Sequence, residues 1–172
     1  MKNHKLLSAM GALVIGLGVS SAASAATITG SSFTATGTIA VSGPSSFGAT
    51  VNCNVTFNGS VDAGGATASI TGVSVSGSSL CAQANITGLP WTLTPTTSSD
   101  GGNTWAGTVS GVGFTIAGAP PFIPASNCAG PSTINAQWIN SSTTLRITSA
   151  QSLAGGCTLR SLNVTAPGIS VN

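Results

Sequence analysis

Val51-Asn-Cys-Asn-Val-Thr-Phe-Asn-Gly-Ser-Val61 alternates without a break: odd positions are apolar or Gly, even positions are Asn, Thr or Ser. A period of two puts successive side chains on opposite faces, so this stretch reads as a half-buried β-strand. Residues 32–41 repeat the pattern, with Phe33, Ala35, Ile39 and Val41 on one face. Trp91 with Leu93, Ile134 with Ala136 and Trp138, and Leu145 with Ile147 continue it. The phase slips at Gly72, between Ile70 and Val73, and at Gly111, between Val109 and Val112. Glycine at a phase slip points to a bulge or a turn. Turn signals punctuate the rest: Ser42-Gly-Pro44, Asp62-Ala-Gly-Gly65, Asp100-Gly-Gly102, Asn140-Ser-Ser142 and Ala154-Gly-Gly156. No segment of residues 26–172 carries a helical stripe, and abundant Gly disfavours helix. The expected fold is all-β, an antiparallel β-sandwich of about nine or ten short strands. A β-solenoid is the rival architecture, but no short repeat period supports it.

One long repeat is present. Cys53 and Cys81 are 28 positions apart, Cys128 and Cys157 are 29 apart, and each interval holds an Ile-Thr pair, Ile70-Thr71 and Ile147-Thr148. The matched spacing favours sequential bridges, Cys53–Cys81 and Cys128–Cys157. Four cysteines allow three pairings, and a chance match of spacings is the competing explanation. Bridges closing loops of this length contribute roughly 3–4 kcal/mol each in the chain-entropy account.

Residues 1–25 read as a secretory signal: Lys2, His4 and Lys5 open it, an apolar run follows from Leu6, and Ala23-Ser24-Ala25 supplies small residues for cleavage. The run is shorter than the roughly 20 residues a membrane span needs. No Cys follows the cleavage position, and residues 167–172 form no hydrophobic tail. The expectation is a secreted protein, extracellular or at the cell surface, with no transmembrane segment after signal removal. Residues 26–172 then form a single β-sandwich domain, with its cysteines oxidised as export allows.

Those residues contain no His, Lys, Glu, Tyr or Met, and their only charged side chains are Asp62, Asp100, Arg146 and Arg160. Two Arg against two Asp give no net charge, and 45 of the 147 residues are Ser or Thr. A nucleic-acid partner is excluded by the lack of a basic patch. Catalysis commonly draws on His, Glu, Lys or clustered Asp, so no catalytic residue, metal or cofactor is expected. Asp62 and Asp100 precede Gly-rich turns, where Asp bonds its own backbone. A glycosidase pair or a Ca²⁺ site built on Asp100 and Asn103 is the weaker reading. The cysteines lack C-x-x-C spacing and a His partner, which argues against zinc, and no Ser has a His or Lys base. Sequons at Asn54, Asn58, Asn85, Asn140 and Asn163 arise by chance in a chain of this composition.

Trp91, Trp105 and Trp138 offer stacking platforms for sugars if exposed, but Trp91 and Trp138 fall on the apolar phase and read as core. The stretch Ala119-Pro-Pro-Phe-Ile-Pro124 cannot be a central strand, because Pro lacks the ladder donor. It is a loop whose Phe122 and Ile123 either fold down onto the sandwich or face outward as a hydrophobic contact.

Taken together, Ala26-Thr-Ile28, Phe33-Thr-Ala-Thr-Gly-Thr38, Cys53-Asn-Val-Thr-Phe-Asn-Gly59, Ser69-Ile-Thr-Gly72, Ser79-Leu-Cys81, Thr87-Gly-Leu-Pro-Trp91, Asn127-Cys-Ala-Gly-Pro-Ser-Thr-Ile134 and the late Gly-Gly-Cys157 form a layout. It resembles the small secreted bacterial alkane-oxidation protein activators of the Pra type. The Gly-Leu-Pro-Trp stretch and the four-Cys layout are the most specific parts. The resemblance implies an extracellular, biofilm-associated protein linked to growth on, or adhesion to, hydrophobic material. It supplies no catalytic residues.

The resulting expectation is a non-enzymatic surface or biofilm-matrix adhesin, with hydrophobic surfaces or an alkane interface as partner. Self-association or binding of matrix components is also open: sheets guard their edges with Lys, absent here, and near-zero charge favours association. Two alternatives remain, a fimbria-like fibre in which residues 26–41 are donated as a strand, and a carbohydrate-binding module.

Overall fold

The computed structural model describes residues 25–119 and 121–172; the expected signal, residues 1–25, lies outside them but for Ala25. The chain is all-β and antiparallel, as the alternation predicts. Its strands are β1 (Ile28–Thr29), β2 (Ser32–Ser42), β3 (Val51–Val61), β4 (Ala68–Gly77), β5 (Ala84–Thr87), β6 (Trp91–Ser98), β7 (Thr104–Ile116), β8 (Ser126–Ile139), β9 (Thr144–Arg146), β10 (Gln151–Leu153), β11 (Cys157–Thr165) and β12 (Ser170–Val171). A one-turn helix, α1 (Ser79–Ala82), stands between β4 and β5.

Ten strands, β2 to β11, join one sheet. Neighbours follow chain order from β2 through β3, β4, β6, β7 and β8 to β9, and β9 then pairs with β11, which pairs back to β2. The facing layers of the sandwich are therefore one sheet bent round until its ends meet. Two positions in this ring are filled by split strands. β6 lies against the first part of β7 and β5 against its last four residues. β9 lies against the end of β11 and β10 against its start.

Both glycine phase slips are irregularities in the ladders. Asn58 faces Gly72 while Gly59 faces Ile70, so Thr71 is an extra residue. Gly111 adopts φ 84 where the β7–β8 register shifts between Val109 and Val112. Such bulges sharpen the local twist and let a sheet curl. Gly37 serves closure differently: a Cβ there would run into the Asn163 carbonyl oxygen, so only glycine lets β2 approach β11.

The inward face of every long strand is apolar, and Val55, Phe57, Ile70, Val109, Ile134, Leu159 and Val164 are buried. Trp91 and Trp138 join them, as their phase predicts. Phe57 meets Trp91 edge to face with centroids 6.1 Å apart, a geometry aromatic quadrupoles favour. The bridges are Cys53–Cys81 and Cys128–Cys157, the sequential pairing, with Cα separations of 5.7 and 5.8 Å.

Two amide side chains replace backbone where the ladders stop. Gln151 Nε2 donates to the Asn135 carbonyl and the Asn135 N–H donates to Gln151 Oε1, both at 2.6 Å, so this side chain laces β10 to β8. Asn140 Oδ1 accepts from Trp138 Nε1 (2.7 Å) and the Val171 N–H (2.9 Å), and its Nδ2 donates to the carbonyls of Gly102 (2.7 Å) and Val171 (2.6 Å). It thereby ties the C-terminal strand and the β6–β7 turn to the end of β8. Each such bond contributes about 1 kcal/mol net, more where a buried donor is orphaned. Asn140→Ala is therefore expected to cost about 2–4 kcal/mol, read as a lowered urea midpoint with an unchanged slope.

Candidate functional site

The strand directions sort the connections into two ends. The β3–β4 connection with Asp62 and the β6–β7 connection with Asp100 share one end with the paired termini. The β2–β3 connection, α1, the β7–β8 connection and the β10–β11 turn share the other.

At the first end the carboxylates are turn residues. Asp62 accepts hydrogen bonds from Thr67 Oγ1 (2.6 Å) and Ser69 Oγ (2.8 Å). Thr67 first and Ser69 second hold its carboxyl below the usual range. Asp100 is lowered chiefly by Thr104, through its side chain and its backbone N–H, and it also accepts from the Asn103 N–H at 3.1 Å. Asn103 Oδ1 in turn accepts from the Ser141 N–H at 2.9 Å. Asp100 Oδ1 and Asn103 Oδ1 are thus engaged with the loop backbone, and the described residues contain no group of three His, Cys, Asp or Glu side chains placed to hold a metal ion.

The opposite end is different in kind. Segments 43–50, 78–83, 117–125 and 154–156 contain no charged residue. Arg160, on β11 just below, donates from Nε to Ser42 Oγ at 3.0 Å. Phe122 stands here with 82% of its surface exposed, on a turn closed by mutual Ala119 and Ile123 backbone bonds of 2.9 and 3.0 Å. Ile123, its sequence partner, is half-buried and roots the turn. Phe47, which the sequence pattern does not single out, is 74% exposed on the β2–β3 connection. The two loops are stitched at their bases: the Ser45 N–H donates to Ser126 Oγ, and that hydroxyl bonds Ser45 Oγ, both at 2.8 Å and buried. Both disulfides also lie toward this end.

Phe47 occupies the left-handed region, φ 51, after the short 3₁₀ turn Pro44–Ser46. A Cβ-bearing residue there costs roughly 1–2 kcal/mol, which Gly or Asn largely avoids. A strained, solvent-exposed aromatic is a poor choice for stability alone, and strain of this kind is a reason to look for function.

Inside the ring lies an apolar cavity of ≈ 60 Å³ reaching from Val41 and Leu80 down to Ile70 and Trp91, with no polar residue type in its lining. A second void of ≈ 20 Å³ lies toward the other end, and Phe57, Ile70 and Leu145 border both. Trp91 keeps its polar atom out of the cavity by donating from Nε1 to the Thr87 carbonyl at 2.9 Å.

The remaining sequence-derived candidates fall away from a common site. Trp105 is half-buried and bonded to the Gly102 carbonyl, so no exposed tryptophan pair exists for sugar stacking. Residues 26–41 are used within the chain: Thr27 exchanges two 2.8 Å backbone bonds with Asn172, and β2 is paired on both edges.

Fold and surface define a disulfide-tied, closed antiparallel β protein with an apolar interior and one uncharged, aromatic-tipped end. A family model described as alkane oxidation protein activator PraA/PraB-like matches residues 1–172, and the chain belongs to that family of alkane oxidation activators. No curated protein and no solved structure matches it.

The titration behaviour follows from the two carboxylates. Residues 26–172 hold no His, Lys, Glu or Tyr, and their cysteines are bridged. Asp62 and Asp100 are their only carboxylate side chains. Both Asp have lowered folded-state pKa values, so the unfolded chain takes up protons first on acidification. The stabilisation is complete above the unfolded pKa and is lost as pH falls through the folded one. Melting temperature is expected to be flat across the neutral range and to drop only in acid, with a shallower drop for Asp62→Asn and Asp100→Asn.

Proposed function

We propose that this chain is a secreted, non-enzymatic surface or biofilm-matrix protein, an adhesin that works at hydrophobic interfaces during alkane use. Phe47 and Phe122 form its contact. The observation that carries this reading is the pairing of two exposed phenylalanines on stitched loops at an end without charged loop residues. Moving a Phe side chain from water into an apolar phase is worth about 2 kcal/mol. Two rings give weak attachment per molecule, which becomes firm when many copies sit in a matrix.

The rest of the molecule suits that task. The Ser- and Thr-rich outer faces keep the remainder hydrated, and two disulfides withstand an oxidising exterior. The charge-poor surface leaves little for ions to screen.

Adsorption of the folded protein to an alkane–water interface, followed by interfacial tension or quartz microbalance, tests the proposal. Phe47→Asn with Phe122→Ser is expected to reduce adsorption at least tenfold, while Phe47→Asn leaves the melting temperature unchanged or higher. Raising salt from low to molar concentration is expected to leave adsorption by the parent protein nearly constant. A folded double variant that adsorbs like the parent, or loss of adsorption in salt, contradicts the reading.

A further inference from the structure

Among the described residues the ring has two places where no ladder closes it, between β4 and β5 and between β8 and β10. β4 pairs with β6 only through residues 68–70, and β5 pairs only with β7. Above Ile70 no ladder joins β4 to β5 among the described residues. This gap differs from the other split position, where Gln151 laces β10 to β8. Here α1 crosses the top, held by the Cys53–Cys81 bridge, and Leu80 on it faces the interior cavity. Val73 and Val75 on one side of the gap and Ala84 and Ile86 on the other are half-buried and also line the cavity. Across the interior, Val109 and Leu159 line the same cavity fully buried.

We propose that this cavity is a binding site for one unbranched hydrocarbon chain, which enters end-on between β4 and β5 beneath α1. The chemistry of the guest follows from the lining. About 10–15 Å³ admits a water molecule, but a water needs polar partners and apolar cavities stay dry; the ≈ 60 Å³ here offers none from its lining residue types. Its shape follows from the volume. A dry cavity that takes benzene measures about 150 Å³, so a ring is too large and the end of a chain fits. Entry is inexpensive because strands without a shared ladder can separate with no loss of inter-strand hydrogen bonds, while the disulfide keeps α1 in place. The site is distinct from the Phe47 and Phe122 contact and does not require it.

The test is titration of the intact, disulfide-bonded protein with 1-octanol, followed by methyl NMR, with cyclooctanol as an eight-carbon probe of the wrong shape. Saturable shifts are expected at Val73, Val75, Leu80 and Ile86 and at Val109 and Leu159 inside, with binding at least tenfold weaker for cyclooctanol. Ala84→Phe and Val75→Phe narrow the entrance from opposite sides, and each folded variant is expected to lose octanol binding at least tenfold. Phe47→Asn with Phe122→Ser is expected to bind octanol like the parent even where interfacial adsorption is lost, so the two proposals fail separately. The site is refuted by shifts that do not saturate or cluster around Phe47 and Phe122. Equal binding of cyclooctanol, or parent-like binding by the folded entrance variants, also refutes it.

Discussion

Three residue pairs hold the ring shut: Thr144 with Thr165, Leu145 with Val164, and Arg146 with Asn163. Without the β9–β11 ladder the ten-stranded sheet has two free ends. With it, the inward faces of β2, β3, β7, β8 and β11 share one interior. Closure also bears on the missing lysines. An open sheet without charged edges invites pairing with other chains, whereas a closed sheet removes the edges themselves. Of the two stretches left without a ladder among the described residues, the one between β8 and β10 is laced by Gln151 and the one between β4 and β5 is bridged by a helix and a disulfide. Eight-position rings of this kind are just wide enough to be filled by side chains or to hold one small guest.

The two ends divide the labour. One is polar and locked: Asn140 satisfies four partners, Asp62 and Asp100 brace their turns, and β1 meets β12. The other is uncharged in its loops, held by Ser45–Ser126 and by both bridges, and carries the exposed aromatics. Rigid bases under small apolar tips are what a surface contact needs, since a floppy loop would lose ordering entropy on adsorption. The proposed roles at the interface and in the interior thus draw on the same frame.

Most of the local structure was legible because period-two alternation is a local property. Val51 to Val61 is strand throughout, Gly72 and Gly111 mark real register shifts, and the tryptophans on the apolar phase are core. The cysteine pairing was legible from spacing. Closure was not, because β9 and β10 are three residues each and their pairing is long-range; nothing in Thr144-Leu-Arg146 names its partner. The single turn of α1 is too short to show a helical period. Phe122 is marked in the sequence by its flanking prolines, whereas Phe47 lies between Ser46 and Gly48 in a turn that hides its exposure. The seam between β4 and β5 has no sequence signal, since Val73 and Val75 alternate like any paired strand.

Closure is most directly measured by native-state hydrogen exchange at the hydrogen-bonded amides of β9 and of residues 163–165 on β11. If the ring is a single cooperative unit, these amides exchange only through global opening, with the same free energy as those in the middle of β2 and β3. If β9 opens on its own, well below that level, the sheet is an open one with a loosely docked end, and a shared interior is contradicted.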